Sequence, residues 1–186
     1  MFNQLLEQIA LKLDEREIPY MVIGGQAVLV YGEPRLTRDV DITLGVGPER
    51  LQDLLAIARE SAWQVLVDKP EEFVQRTLVL PLQDSKTEIR IDVIFSYSPY
   101  ERQAMGHVRR IPIGKASVRV AALEDVIILK MVAGRPRDLE DVRGILLKNP
   151  NFDRGYLLEW LSVMDQSLGG NCVRTFERLA SPFEFR

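Results

Sequence analysis

Residues 35–44 read RLTRDVDITL, and the six from Asp39 to Leu44 alternate without a break. Val40, Ile42 and Leu44 fall on one side and Asp39, Asp41 and Thr43 on the other, the period of a strand with one buried face. Two carboxylates at i and i+2 therefore share the polar face. There they repel each other and resist desolvation unless a cation offsets them. Lysine, arginine or a divalent metal can do this. Magnesium suits the position, because it favours one or two carboxylates completed by phosphate oxygens. A third carboxylate from a neighbouring strand would allow two such ions about 4 Å apart, an arrangement that serves in-line displacement at phosphorus.

Working outward, EIRIDVIF (88–95) alternates as strictly. Ile89, Ile91, Val93 and Phe95 form its apolar face, and Asp92 on the other side is the best third carboxylate, beside Arg90. Upstream, YMVI (20–23) is a short apolar strand that ends in Gly24-Gly25. A strand that runs through a glycine pair into a helix leaves backbone N–H groups at a positive helix terminus, and glycine lets a phosphate approach the main chain. Each piece also has a plainer reading: a turn, a solvated strand edge, a surface carboxylate. Their order along one chain argues for the sharper one.

The spacing predicts helices over 2–17, 26–31, 48–60, 122–133, 138–148, 154–164 and 171–179. Further strands are expected at 63–67, 76–82 and 107–113. A mixed sheet with early helices, followed by a helical C-terminal third, reads as α+β. The expected organisation is a core over residues 1–121, with a helical region over 122–186 packed on it as one compact unit. The chain has 186 residues, 46% of them hydrophobic, and a net charge of −3, which excludes a globally basic nucleic-acid coat. The balance is uneven: Arg102, Arg109, Arg110, Lys115 and Arg119 stand against Glu101 alone in residues 101–120. That segment is either a solvated basic surface or a patch that meets a phosphate-bearing partner. One cysteine, Cys172, excludes an internal disulfide and a multi-cysteine metal site. The one histidine, His107, falls in an expected strand and reads as structural. The acidic amphipathic N-terminus is unlike a signal peptide and no apolar run could span a bilayer, so a cytoplasmic location without membrane contact is expected.

Gly24-Gly25, thirteen intervening residues, Asp39-Val40-Asp41-Ile42 and the later strand residue Asp92 together resemble the signature of the nucleotidyltransferase superfamily. The string GGQAVLVYGEPRLTRDVDI (24–42) is similar to the AbiEii-like minimal nucleotidyltransferases, related to type IV toxin–antitoxin systems, which favour Arg-x-Thr before Asp-x-Asp. ALEDVIILKMVAGRPRDLEDV (122–142) resembles that group's helix-borne lysine and the Arg-x-Lys/Arg-Asp after it. The likeness covers roughly residues 20–145 and leaves 150–186 unmatched. One departure is Gly-Gly where many relatives have Gly-Ser, which removes a hydroxyl contact to phosphate.

The resemblance implies a polymerase beta-like mixed sheet flanked by helices. It implies Mg²⁺, as two ions with Mn²⁺ as an alternative, held by Asp39, Asp41 and Asp92. It implies a nucleoside triphosphate on Gly24 and Gly25, with Lys130 on its phosphates and Asp39, Asp41, Asp92 and Lys130 as the catalytic set. Arg135, Arg137 and Asp138 are weaker carry-overs, since GRPRD also reads as a helix break with Asp138 as the next N-cap. Thr37 and Arg38 either touch phosphate or shape the loop. Lys130 follows VIIL on an apolar helix, where its ammonium needs a partner or must snorkel to the surface. The expected activity is transfer of a nucleoside monophosphate from a nucleoside triphosphate to an acceptor hydroxyl on tRNA, protein or a small molecule, with release of pyrophosphate. The basic segment 101–120 points to RNA or another phosphate-rich acceptor. The rival is a toxin or antitoxin that binds nucleotide and acts mainly through a protein partner, using exposed Trp160, Phe183 and Phe185. A pseudo-enzyme is disfavoured, because a carboxylate cluster without its cation is costly.

Overall fold

All the alternating segments enter one sheet in the computed structural model, which describes residues 1–96 and 98–181. The chain divides into two compact units, Met1–Gln26 with Thr37–Ala121, and Ala27–Leu36 with Ala122–Arg186.

In the first unit, α1 (Phe2–Glu15) buries Leu5, Leu6, Ile9, Ala10 and Leu13 on one stripe. After it comes β1 (Tyr20–Ile23), which leads into α2 (Gly24–Tyr31). The remaining strands are β2 (Asp39–Leu44), β3 (Trp63–Val65), β4 (Val79–Asp84), β5 (Arg90–Phe95), β6 (Arg109–Ile113) and β7 (Ala116–Val120). Between them lie α3 (Leu51–Ser61), α4 (Pro70–Thr77) and α5 (Pro99–Gly106). The strand order is β3-β4-β5-β2-β1-β7-β6. β2 runs antiparallel to β1 and parallel to β5, so the sheet is mixed, and β2 sits near its centre. Val40, Ile42 and Leu44 are fully buried, as the alternation requires. α1 packs on β7 and β6, α3 on β3, and α4 on β4.

The second unit holds α6 (Leu123–Ala133), α7 (Pro136–Lys148), α8 (Arg154–Leu168) and α9 (Cys172–Ala180), which pack on one another. Their core includes Ile127, Ile128, Val142, Ile145, Leu157, Leu161 and Phe176. The Asp165 carboxylate, near the end of α8, accepts the backbone N–H groups of Cys172 and Val173 and so caps α9.

Several expectations need correction. Residues 76–82 are not one strand: α4 runs to Thr77, Leu78 turns through the left-handed region at φ 57°, and β4 starts at Val79. Residues 88–95 lose their first two positions, because Glu88 also has φ 57° and bends the chain before Arg90. The middle of the chain gains α4, α5 and β7. α5 is built on a reciprocal capping box between Ser98 and Glu101 with Pro99 at the first turn. His107 lies at the C-terminal cap of α5 rather than in a strand. Residues 48–60 open with a 3₁₀ turn, Pro48–Arg50, ahead of α3. Trp160 is buried in α8, because its helix packs inward; Phe183 and Phe185 lie outside the described residues.

Candidate active site

β2 and β5 pair in parallel with Asp39 opposite Arg90 and Asp41 opposite Asp92. Residues in such register share a face, so Asp39, Asp41, Arg90 and Asp92 all stand on the polar side of the sheet. The three carboxylates are half-buried. Two of them lie on adjacent strands directly across from one another, a like-charge pairing that costs stability without compensation. Part of that compensation is visible: Arg90 Nε donates to both Asp92 oxygens at 2.9 Å.

On the other flank of β2, Ile23 is the register partner of Asp41, so the glycine after it lies against the Asp41 side chain. Gly24 has φ +61°, and a Cβ built there would overlap the Asp41 Oδ2 and approach its Cγ to 2.8 Å. Glycine is required here twice, for the left-handed backbone and for the close approach. α2 starts at this residue, so the backbone turn and the carboxylate face belong to one feature. Thr37 is buried, and its hydroxyl lies 3.1 Å from Asp39 Oδ1 and 3.3 Å from the Asp39 carbonyl, which fixes the entry to β2. Arg38 is exposed.

Among the described residues, no three His, Cys, Asp or Glu side chains converge closely enough to enclose an ion by themselves. Asp92 is turned toward Arg90 instead. The donors nevertheless fit magnesium: they are carboxylate oxygens on one face, beside the glycine turn that opens α2. That cation takes the rest of its shell from water and phosphate oxygens.

The second unit contains a separate ionic cluster. Lys130 on α6 is buried, and its Nζ lies 2.7 Å from Asp138 Oδ1 and 3.0 Å from Asp141 Oδ2. Both carboxylates come from one face of α7 at i and i+3. The lysine thus finds partners and does not snorkel. Gly134 ends α6 at φ 64°, Pro136 opens α7, and Asp138 is the third residue of that helix, accepting the Arg135 N–H at 3.3 Å. The helix break in GRPRD is therefore real, but the N-cap is Arg135 and not Asp138. Arg137 donates to the Leu36 carbonyl at 3.1 Å. Arg35 and Asp141, which the sequence reading left unassigned, join the cluster: Arg35 Nε meets Asp141 Oδ1 at 2.8 Å, and Nη2 meets Oδ2 at 3.0 Å. The i, i+3 spacing of Asp138 and Asp141 was the available signal for Asp141. For Arg35 the signal was the Arg-x-Thr ahead of Asp-x-Asp, which marks the residue but not its partner.

Burial acts to raise the Asp138 pKa, but hydrogen bonds from Arg135 and Lys130 outweigh it and hold the group below the ordinary carboxylate value. A carboxylate with a depressed folded pKa contributes stability that is complete above its unfolded pKa, about 4, and is lost as pH falls through the lower folded value. Asp138→Asn should therefore destabilise the protein by about 3 kcal/mol at pH 7, with the difference from wild type shrinking below about pH 4. Urea unfolding across pH 2.5–7 measures this, and a pH-independent difference would contradict it.

Comparison with known proteins brings the fold and the sequence together. A family model described as "Nucleotidyl transferase AbiEii toxin, Type IV TA system" matches residues 4–165. A search of curated proteins returns no match. Among solved structures, the chain is similar to the antibiotic-resistance factor ANT(2'')-Ia, with TM-score 0.53, 18% identity, and coverage of 97% of this chain and 90% of that one. It is also similar to an antigenic nucleotidyltransferase-like protein from Paracoccidioides brasiliensis, with TM-score 0.57, 17% identity, and coverage of 89% and 87%. The lincosamide antibiotic adenylyltransferase LnuA gives TM-score 0.50 at 12% identity, with 72% and 89% covered. Among the described residues, no helix is long and apolar enough to cross a membrane. The mixed sheet is that of the solved nucleotidyltransferases, and by the match over residues 4–165 the chain belongs to the AbiEii nucleotidyl transferase family and is a nucleotidyltransferase.

Proposed function

We propose that the protein transfers a nucleoside monophosphate from a nucleoside triphosphate to a hydroxyl of a cytoplasmic acceptor. The observation that carries this reading is the Asp41–Asp92 register pair, with Asp39 on the same face and Gly24 against Asp41. In the reaction the acceptor oxygen bonds to the α-phosphorus, the α–β bridging P–O bond breaks, and pyrophosphate leaves. Asp92, now paired with the 55% exposed Arg90 side chain, accepts the hydroxyl proton. Asp39, Asp41 and Asp92 would hold the Mg²⁺ that comes with the triphosphate. When bound, that cation neutralises phosphate charge and lowers the acceptor hydroxyl pKa. The turn at Gly24 and Gly25 admits the phosphates close to the main chain. Lys130, Arg137 and Asp138 are assigned to the nucleotide on the strength of the resemblance. Catalysis on this reading is positioning and charge neutralisation.

For the acceptor we favour RNA. Arg109 and Arg110 are exposed on the edge strand β6, and Lys115 is exposed in the adjoining turn. Arg110 stands opposite Arg119 across the β6–β7 ladder. Asp14 at 2.8 Å and the Tyr20 ring at 5.1 Å engage Arg119, whereas Arg110 gains only repulsion from its opposite number. An RNA phosphate offsets that repulsion. The neighbours act elsewhere by their own descriptions: ANT(2'')-Ia is seen with adenylyl-2''-tobramycin, and LnuA with lincomycin.

The test is incubation with each α-labelled nucleoside triphosphate, magnesium, total RNA and cell protein. Labelled RNA is expected; the absence of any labelled product would overturn the reading. Arg109→Glu/Arg110→Glu should weaken RNA binding and reduce the slope of log affinity against log salt by about 1–2 units. An unchanged slope would exclude RNA at this strand. The family's toxin description favours a second reading, in which the chain acts through an antitoxin-type protein partner. A stable complex on co-expression, without nucleotide transfer, would support that reading.

A further inference from the structure

Arg35 and Asp141 have so far only a structural place. Their charges suggest more. The Lys130, Asp138 and Asp141 side chains are 8%, 3% and 5% exposed. Taken alone, an ammonium between two buried carboxylates carries a net negative charge and repels a polyanion. Two arginines reverse that balance. Arg135 Nε binds Asp138 Oδ2 at 2.6 Å, and Arg35 clasps both oxygens of Asp141. Three cations then face two carboxylates, with Lys130 and Arg35 balancing the two aspartates inside and Arg135 adding its charge at the solvent edge. The two arginines are not equivalent. Arg135 is 75% exposed in its side chain and strongly screened, whereas Arg35 is 20% exposed. Its fork also fixes the Asp141 carboxylate in one orientation, which a lysine could not do as rigidly.

We propose that Arg35, acting through Asp141, is a positioning residue that keeps the Lys130 ammonium oriented and positively balanced for the phosphate chain of the nucleotide. The proposal rests on the phosphate role given to Lys130 above. Arg35 touches no substrate on this view. It removes the surplus negative charge that Asp141 would otherwise place on the lysine.

The probe is inorganic tripolyphosphate, which contains the part common to every nucleoside triphosphate. Its binding to the full chain is measured by titration calorimetry in magnesium buffer, with the thermal midpoint recorded for each variant. Arg35→Gln should bind about tenfold more weakly, the size of an ordinary coupling between linked groups. Arg35→Lys, which keeps the charge but loses the two-point clasp, should bind between Arg35→Gln and wild type. Arg35→Gln/Asp141→Asn removes one charge of each sign and should recover to within about threefold. The double variant also decides the matter if Arg35→Gln alone does not fold. Wild-type binding by Arg35→Gln, or failure of the balanced double variant to recover, overturns the proposal. Lys130→Gln separates the two levels of the argument. If it binds as wild type, the phosphate role of Lys130 falls, and this proposal with it. If it weakens binding while Arg35→Gln does not, only the positioning role is lost.

Discussion

Asp41→Asn is expected to lower the nucleotidyl-transfer rate by about 10³-fold while changing stability by no more than about 1 kcal/mol. Asparagine matches aspartate in shape, so the contact with Gly24 and the register with Ile23 and Asp92 persist. What disappears is one negative charge from a face where Asp39 and Asp92 also stand. In the resting protein that charge stands across from Asp92 on the neighbouring strand. During transfer it is an asset, because it offsets cationic charge carried in with the triphosphate. Loss of rate with a thermal midpoint close to that of wild type is therefore the signature of a functional carboxylate. The label-transfer assay and thermal unfolding, run on the same preparation, measure both. A midpoint drop that accounts for the lost activity would reduce Asp41 to a structural residue, and retained turnover would remove it from the site.

Gly24→Ala should be damaging in a different way. The left-handed backbone at φ +61° costs an alanine about 1 kcal/mol, and the new methyl group must displace the Asp41 carboxylate or move β1 from β2. Together these predict a loss of about 2–4 kcal/mol in denaturant unfolding. A fall in transfer rate beyond what the unfolded fraction explains is expected as well. If alanine is accepted with stability and rate intact, the Gly24–Asp41 contact does not shape the site.

The two variants probe features that differed in how openly the sequence displayed them. The strand DVDITL carries its own proof in its alternation, and its bounds in the structure are those the pattern implies. Asp92 was legible for the same reason. α5 and β7 were legible in principle, the first through Ser98-Pro99 with Glu101, the second through alternating Ala116, Val118 and Val120. α4 is harder to read, because Val74 is its one fully buried residue and two turns offer no period to count. Leu78 and Glu88 adopt positive φ without being glycine, so nothing in their identity announces the turns that trim β4 and β5.

By itself, then, the sequence determined a mixed α+β fold, a strand with two carboxylates on its polar face, and a glycine pair at the end of an earlier strand. These follow from side-chain periodicity and backbone permissiveness, which are properties of neighbours along the chain. Tertiary structure alone decided that Asp41 faces Asp92 in register and that its carboxylate fills the space a Gly24 side chain would need. It also decided that Lys130 is held by Asp138 and Asp141, and that Arg35, more than a hundred residues from Asp141, is that carboxylate's second partner. Strand order and ion pairing over that separation are set by which apolar faces bury together. No local pattern of charges encodes that outcome.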